Sequence, residues 1–196
     1  PRGESHWIGG PADLEHTHRL RALFDAVVVG AGTVAADDPR LTTRLVPGPS
    51  PVRVVIDPRR RLPERRAVFD GGPETLLICA ESAPGPDRYG AAEVVRLPAG
   101  PDGIAPAAIR AALRARGLKR IFVEGGGVTV SRFLAAGVLD RLHVTVAPLV
   151  MGAGIPGFAL PPPARLAEAR RLTWTVHPLG QDLLLDIPLG RAEGGG

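Results

Sequence analysis

A glycine-rich turn in the second half of the sequence has the composition of a phosphate-binding site. The β-branched and aromatic run 121–123 passes through Glu124 into Gly125, Gly126 and Gly127, and a helical pattern follows. Glycine lets the backbone approach an anion closely, and the free amides and dipole of a helix N-terminus favour negative charge. A tight turn without a ligand is the alternative, but such a turn does not need three successive glycines. We therefore predict that this turn binds phosphate.

An earlier glycine turn, residues 30–35, also follows an apolar strand and reads Gly-Ala-Gly-Thr-Val-Ala. It loosely matches the dinucleotide fingerprint, with Ala35 in place of the last glycine, and Asp57 lies at about the right distance for the acidic ribose ligand. However, Pro39 pushes Asp38 out of the α region, so the helix after the turn is barely two turns long. The pattern predicts a nucleotide-contacting loop outside the Rossmann plan.

The elements that must position these turns alternate between helix and strand, which is typical of an α/β domain with a largely parallel sheet. Helices are predicted over residues 11–25, 84–92, 104–116 and 128–136. Strands are predicted over residues 26–29, 52–56, 76–79, 93–97, 121–123 and 142–149, with two long antiparallel strands over 165–177 and 182–188. In the first helix Leu14, Leu20, Leu23 and Phe24 share one side, which predicts an apolar packing face.

Length and composition set the domain organisation. The 196 residues, 44% of them hydrophobic, suit one domain with a real core, which we expect over residues 1–190, followed by a flexible tail over 191–196. The sequence has no apolar run long enough to span a bilayer and no targeting segment, so we expect no membrane partner. The lone Cys79 leaves no internal disulfide and suits a reducing cytoplasm, where we expect the protein to be.

The formal net charge of +4 is compatible with nucleic acid or with phosphorylated small molecules. Aromatic residues make up only 4% of the chain, and its longest basic run is residues 59–61. A base-stacking surface is therefore unsupported, and we expect a phosphorylated small molecule and no nucleic acid. His16 and His18 are two residues apart in a helix and point to different faces, so no metal site is predicted.

Three blocks of sequence share their order and spacing with one known family. They are Ser5-His6-Trp7-Ile8-Gly9 with Arg19-Leu20-Arg21 and residues 25–30; residues 33–44, which contain Ala36-Asp37-Asp38-Pro39; and Val123-Glu124-Gly125-Gly126 with residues 137–140 and 147–152. Over almost its whole length the chain thus resembles the riboflavin-biosynthesis reductases, the RibD C-terminal domain family. The resemblance implies a three-layer α/β/α, dihydrofolate-reductase-like fold with a mixed, mostly parallel sheet and antiparallel C-terminal strands.

The resemblance also implies roles for the matching positions. Those implied against a phosphorylated substrate are Ser5, Arg21, Leu41, Arg44 and Glu124. Those implied against NADPH are Trp7, Thr33, Asp37, Gly125, Gly126, Gly127, Val128 and Thr129. Asp37 and Glu124 are the candidate catalytic groups near the reacting centre. Guanidinium forks suit phosphate, although Arg21 and Arg44 fit surface salt bridges as well. Arg59 is our own candidate for the 2′-phosphate of NADPH, with a solvated charge run as the alternative.

Two departures from the family pattern stand out. Gly127 and Val128 replace a frequent proline and hydroxyl residue, and Thr129 or Ser131 is left to supply the hydroxyl contact to phosphate. The family also begins with a central strand and an Ala-x-Ser-x-Asp-Gly segment ahead of the Ser-x-Trp block. This sequence starts after that point, so the resemblance implies that the N-terminal strand is missing from it. The His-x-Glu and Pro-Cys-x-x-Cys pattern of the zinc deaminases is absent from the sequence.

The activity implied by the resemblance is hydride transfer from NADPH to the ribosyl C1′ of 5-amino-6-(5-phosphoribosylamino)uracil, or of its deaminated or undeaminated analogue, by a homodimer. One alternative is a reductase of the same fold that acts on another pyrimidine or on a dihydropterin. An alternative of another class is a non-catalytic NADP-binding or scaffold protein, which would bind NADPH without turnover.

Overall fold

The computed structural model describes residues 8–152 and 154–190, so Ser5, Trp7 and the tail over 191–196 lie outside the described residues. The helices are α1 (Pro11–Leu23), α2 (Ala31–Asp37), α3 (Pro106–Ala115) and α4 (Gly127–Ala135). The strands are β1 (Ala26–Gly30), β2 (Val52–Ile56), β3 (Thr75–Ala80), β4 (Arg88–Tyr89), β5 (Ala92–Leu97), β6 (Ala99–Gly100), β7 (Gly103–Ile104), β8 (Ile121–Val123), β9 (Arg141–Val146), β10 (Thr175–Leu179) and β11 (Asp182–Pro188). Short 3-10 turns occur at Ala67–Phe69 and Leu166–Glu168.

The main sheet has the strand order β4-β5-β3-β2-β1-β8 and is parallel except for the short edge strand β4. Strand β1 lies between β2 and β8 and places Ala26 beside both Val52 and Ile121. Its residues Ala26–Val29 are fully buried because helices cover both faces of the sheet. The carboxyl ends of β1 and β8 therefore lie side by side, and the two glycine turns leave the sheet at the same edge.

Two apolar clusters sandwich this sheet and give it three layers. On one face Ile109 and Leu113 of α3 and Phe133 of α4 pack against Val28 and Val54. The cluster on the other face consists of Val34 of α2 with Leu41, Leu62, Val68 and Phe69 from loops, packed on alternate strand residues. The predicted α/β/α layering and mostly parallel sheet are confirmed, as is the short helix after the first glycine turn.

The C-terminal strands form a separate antiparallel sheet with the order β10-β11-β9. Within the described residues no ladder joins β8 to β9, and a cavity of about 360 Å³ lies between them. Phe122 and Val123 of β8, Arg141 and His143 of β9, and Phe24 line this cavity.

Two predicted elements are wrong. Residues 84–92 form no helix, because Gly85 and Gly90 have φ of +107° and +56° and the guanidinium of Arg60 binds the carbonyls of Pro84 and Pro86. The strand predicted over 165–177 is mostly irregular, and only its end pairs with β11 in β10. The prediction extended the hairpin too far, since β11 ends at Pro188 and offers no partner beyond it.

Helix α1 is confirmed, but its predicted apolar packing face is wrong. Leu23 is 59% exposed, whereas the helix buries Asp13, Thr17, His18 and Arg21. The buried face binds polar groups elsewhere in the fold: Asp13 accepts a hydrogen bond from Thr145 of β9 at 2.7 Å. In residues 8–152 and 154–190, no helix is both long and apolar enough to cross a lipid bilayer.

Candidate active site

A crevice of about 550 Å³ opens where the two glycine turns meet. Its walls include Gly30, Gly32 and Thr33 from the first turn and Gly126, Gly127, Val128 and Thr129 from the second. Further wall residues are Pro58, Arg61, Ile104, Arg132, Ile155 and Pro156. The crevice lies outside the carboxyl ends of parallel strands, where open α/β sheets bind their ligands. The structure thus brings Thr33, predicted from the first turn, together with residues 126–129, predicted from the second.

A hydrogen bond ties the two turns together. The Gly126 amide donates to Oγ1 of Thr33 at 3.1 Å, and a Cβ atom at Gly30 would lie 2.3 Å from Oγ1 of Thr129. Gly125 has φ of +152°, a conformation that L side chains rarely adopt. Glycine at 30 and 125 therefore lets the starts of α2 and α4 approach each other, and the Gly126 amide is already occupied.

The packing around residue 127 explains why it is glycine, which the sequence alone did not show. A Cβ atom at this residue would lie 2.6 Å from the carbonyl oxygen of Pro156, in the loop that walls the crevice. The same loop is held by Ser131, whose Oγ accepts a hydrogen bond from the Ala159 amide at 2.8 Å. Ser131 is therefore committed to the loop, and Thr129 is the hydroxyl that remains to line the crevice. The first amides of α4, at Gly127 and Val128, lack partners within the helix and suit an anion.

A partly buried ion pair lies directly ahead of the second glycine turn in the chain. Nε of Arg21 donates to Oε2 of Glu124 at 2.8 Å, and Nη2 of Arg21 donates to Oε1. Arg21 is 6% exposed and Glu124 is 20% exposed. Nη1 of Arg21 also donates to the carbonyl of Thr42 at 3.2 Å. Two residues predicted to contact substrate thus contact each other, and Arg21 fixes the carboxylate of Glu124 rather than offering a free fork.

His18 lies one turn before Arg21 and holds the neighbouring loop. Its Nδ1 accepts a hydrogen bond from the Arg44 amide at 3.1 Å, and its Nε2 is buried with no partner among the described residues. Burial, followed by the nearby charges of Arg21 and Arg44, lowers the pKa of His18 to about 4. The neutral imidazole positions the Arg44 backbone, while the Arg44 side chain is exposed.

The remaining predicted residues differ in how they are presented. Leu41 has its side chain in the core, 1% exposed, with φ of +54°, so only its backbone can reach a ligand. A bulky residue at positive φ is strained, and such strain tends to cluster at functional sites. Asp37 is exposed at the last position of α2 and does not line the crevice. Arg59 is exposed and lines a neighbouring crevice instead.

Sequence reasoning misread or missed several residues here. Asp57, considered as a ribose ligand, is fully buried and accepts a hydrogen bond from the Leu62 amide at 2.9 Å, so it shapes the loop after β2. The sequence predicts no role for His18, and only its place one turn from Arg21 hints at its hydrogen bond to the Arg44 amide. Arg61 and Arg132 reach the crevice from distant segments, a meeting that no local pattern signals.

Comparison with known proteins identifies the family. A model of the RibD C-terminal domain matches residues 1–176. The 2,5-diamino-6-ribosylamino-4(3H)-pyrimidinone 5′-phosphate reductase of Methanothermobacter thermautotrophicus is 38% identical over 152 residues, which cover 74% of this chain and 69% of that protein. The riboflavin biosynthesis protein RibD of Mycobacterium tuberculosis is 32% identical over 190 residues, which cover 94% of this chain and 48% of that protein.

Solved structures agree. The Thermotoga maritima diaminohydroxyphosphoribosylaminopyrimidine deaminase/5-amino-6-(5-phosphoribosylamino)uracil reductase superposes with a TM-score of 0.78 at 26% identity, covering 95% of this chain and 51% of that one. Acinetobacter baumannii RibD, at 24% identity and a TM-score of 0.80, supports the fold and covers 96% of this chain and 53% of that one. This chain spans about half the length of these RibD proteins. It belongs to the RibD C-terminal domain family, and its predicted class, a reductase of riboflavin biosynthesis, is confirmed.

Proposed function

We propose that this chain reduces the ribosyl C1′ of 5-amino-6-(5-phosphoribosylamino)uracil, or of its 2,5-diamino-pyrimidinone analogue, with NADPH as the cofactor. The observation that carries the proposal is the crevice at the paired glycine turns, together with the partly buried Arg21–Glu124 ion pair just ahead of the second turn in the chain. It supports sites for two phosphorylated molecules, since free helix amides and arginine side chains are the groups that bind phosphate.

The cofactor phosphates fit the start of α4. Gly127, Val128 and Thr129 line this end of the crevice, so the free amides at the start of α4 and the Thr129 hydroxyl are the candidate phosphate ligands. Thr33 holds the turn through the Gly126 amide. Trp7 stays a predicted contact outside the described residues, and Asp37 stays a predicted one.

On the substrate side we assign different tasks to the two arginines. The exposed guanidinium of Arg44 is the candidate for the substrate phosphate, helped by the backbone of Leu41 and by Ser5, which stays a prediction. Arg21 orients Glu124 through two hydrogen bonds. Each carboxylate oxygen of Glu124 keeps a second lone pair, which can accept a hydrogen bond from a sugar hydroxyl.

The reaction needs little chemistry from the side chains. When bound, the nicotinamide would supply a hydride for C1′ of the ring-opened Schiff base, and solvent would supply the proton that the adjacent nitrogen gains. The protein binds, orients and desolvates the reactants. Glu124 and Asp37 are the carboxylates proposed near the reacting atoms, with Glu124 holding the sugar in place.

Absorbance at 340 nm tests the proposal directly. Adding the ribosylamino-pyrimidine phosphate to protein and NADPH is expected to consume NADPH, and Glu124→Gln is expected to reduce kcat/KM about 10- to 100-fold because a charged hydrogen-bond partner is lost. Glu93→Gln is the matched control, because Glu93 lies on the surface and pairs with Arg116. Binding of NADPH without turnover on pyrimidines and pterins would favour the scaffold alternative instead.

We also propose a homodimer in the cytoplasm. An apolar stripe of Val146, Val176 and Leu183 lies on one face of the C-terminal sheet, continuous with its core, and Trp174 comes directly before β10. These four side chains are between 46% and 57% exposed and suit a second copy. Light scattering is expected to give a dimer mass that Leu183→Lys reduces, while Leu45→Lys, at an exposed leucine outside the stripe, leaves it unchanged. A monomer mass for the unmodified chain would contradict this.

The buried thiol of Cys79 suits a reducing compartment, and cell fractionation tests that location.

A further inference from the structure

The two faces of the C-terminal sheet pack in different ways. Leu142 and Ile187 lie on its apolar face and cluster with Val130 and Leu134 of α4. Alternate residues of the same strands point to the other face, which is polar and meets helix α1. Apolar side chains do not titrate, whereas a polar contact depends on the charge of its partners. The polar face is therefore the one where the packing of this sheet can respond to protons.

Three contacts between side chains or the helix start join α1 to the polar face, and they lie three residues apart along the helix: Gly10 with Asp182, Asp13 with Thr145, and His16 with His143. The first two are hydrogen bonds of 2.6 and 2.7 Å. In the third, Nε2 of His16 lies 3.4 Å from Nδ1 of His143, and the ring centroids are 5.5 Å apart. Histidine is the side chain that changes charge near neutral pH, so both partners of the third contact can titrate there.

The geometry of this histidine pair limits the number of protons that it can hold. Nε2 of His143 also lies 3.4 Å from Oδ1 of Asp186 on β11, which favours a proton on that nitrogen. Nδ1 of His143 then has a lone pair for the N–H of His16, so the neutral pair is hydrogen-bonded. A first added proton can be shared between the facing nitrogens, near the carboxylate of Asp186. A second proton puts an N–H on both nitrogens, and the two like charges repel each other.

The surroundings of the pair also oppose a second proton. The charged and titratable groups that face it are Asp13 and Arg19 on α1, Arg141 on β9, His177 on β10, Asp186 on β11, and Arg110, Lys119 and Arg120, which line the same cavity as His143. Both carboxylates among these groups are already engaged in hydrogen bonds. Burial lowers the pKa of both histidines, and the charge of His143 lowers the pKa of His16 further. The doubly charged pair is therefore reached only in acid.

We propose that His16 and His143 form an acid-sensitive latch, which holds α1 on the C-terminal sheet while the pair carries at most one proton and releases it when both imidazoles are charged. Helix α1 also carries Arg21, which orients Glu124 through two hydrogen bonds. Opening the latch is therefore expected to loosen this part of the candidate site while the main sheet stays folded. The latch does not depend on which molecule the crevice binds.

Amide hydrogen exchange at pH 7 and pH 5, corrected for intrinsic rates, tests the latch. Exchange over 11–23, relative to 106–115 in α3, is expected to accelerate about tenfold more in the unmodified chain than in His16→Gln, since a shift of one pKa unit changes an equilibrium tenfold. The glutamine amide can donate to Nδ1 of His143 but cannot be charged. His177→Gln is the matched control, an exposed histidine near the pair, and is expected to behave like the unmodified chain. His18 titrates equally in all three proteins.

Proton NMR titration of the histidine Cε1–H signals gives a second readout, which does not require the helix to move. His143→Gln is expected to raise the pKa of His16, because a like charge beside it is removed, and His177→Gln is expected to raise it less. A His16 pKa that does not move in His143→Gln would overturn the latch. Equal acceleration of exchange in the unmodified chain and in His16→Gln would overturn it as well.

The unmodified chain decides the question if circular dichroism shows that a glutamine variant does not fold. In that case both histidines of the pair are expected to titrate below 6.5, the unperturbed pKa, and the exchange over 11–23 is expected to accelerate in the same pH range. Ordinary titration of both histidines, or acid exchange that is no faster in α1 than in α3, would show that the pair is not a latch.

Discussion

Helices α1 and α3 have similar lengths but bury opposite kinds of residues. Helix α3 packs Ile109 and Leu113, each 1% exposed, into the cluster beneath the main sheet. Helix α1 buries His18 and Arg21 and leaves Leu23 largely exposed. An apolar face stabilises the fold wherever it is covered, whereas buried polar groups are costly without hydrogen-bond partners. Arg21 finds its partners in Glu124 and Thr42, and Nδ1 of His18 finds one in the Arg44 amide. On the proposed function, α3 serves the core and α1 serves the candidate site.

The largest expected effect on stability comes from α3. Leu113→Ala removes a buried side chain and leaves a cavity, so the free energy of unfolding is expected to fall by about 2–5 kcal/mol. Activity per folded molecule is expected to stay unchanged, because the residue lies away from the glycine turns. Urea unfolding with kinetics on the same preparation measures both. Lost activity at unchanged stability would contradict the assignment of α3 to the core and of α1 to the candidate site.

A substitution on α1, unlike one on α3, is expected to reduce both stability and activity. Arg21→Met leaves Glu124 unpaired, at an expected cost of about 1.5–3 kcal/mol in the free energy of unfolding. The reductase kcat/KM is expected to fall about 10- to 100-fold as well, because Glu124 loses its two orienting hydrogen bonds. The matched control is Arg19→Met, which breaks only the exposed i,i+4 pair with Glu15 and is expected to cost about 0.5 kcal/mol or less. Similar kinetics for Arg21→Met and Arg19→Met would show that Arg21 has no role in the candidate site.

Per pH unit, the smallest effect is a pH dependence carried by His18. Its pKa is 6.5 when unperturbed and about 4 in the fold, so between these values the unfolded chain binds the extra proton. Stability is therefore expected to decrease as pH falls from about 6.5 to 4, by up to about 1.4 kcal/mol per pH unit from this residue. His18→Asn keeps an acceptor for the Arg44 amide and is expected to flatten this slope in urea unfolding at several pH values. His16 and His143, whose pKa values burial also lowers, contribute equally in both proteins. An unchanged slope would show that His18 does not titrate in this range.

Most of the fold could be predicted from patterns that act over a few residues. The β-branched run 52–56 and the run 121–123 are strands with the predicted bounds, and α3 has the apolar spacing of a packed helix. The short α2 followed from Pro39. Local patterns failed where a segment forms its hydrogen bonds with residues distant in sequence. The guanidinium of Arg60 binds the carbonyls of Pro84 and Pro86, and this segment is a loop where a helix was predicted.

The site was predictable as a set of positions but not as a set of contacts. Residues 126–129 and Thr33 do meet, as their turns implied. The partners of Arg21 could not be read from the sequence, because Glu124 is 103 positions away and only the order of strands brings it close. The glycines illustrate the same limit. Glycine is required at 125 by the positive φ of the backbone and at 127 by the close approach of a distant loop, although the two residues look alike in sequence.

The contact between Gly127 and the Pro156 carbonyl has a consequence for exchanging parts between relatives. A proline at this place would put a ring where this chain has a hydrogen, and the loop on its present path passes 2.6 Å from that Cβ position. Residue 127 and the loop at Pro156 and Gly157 therefore have to change together. A chimera that transplants either alone should misfit, and one that transplants both should assemble.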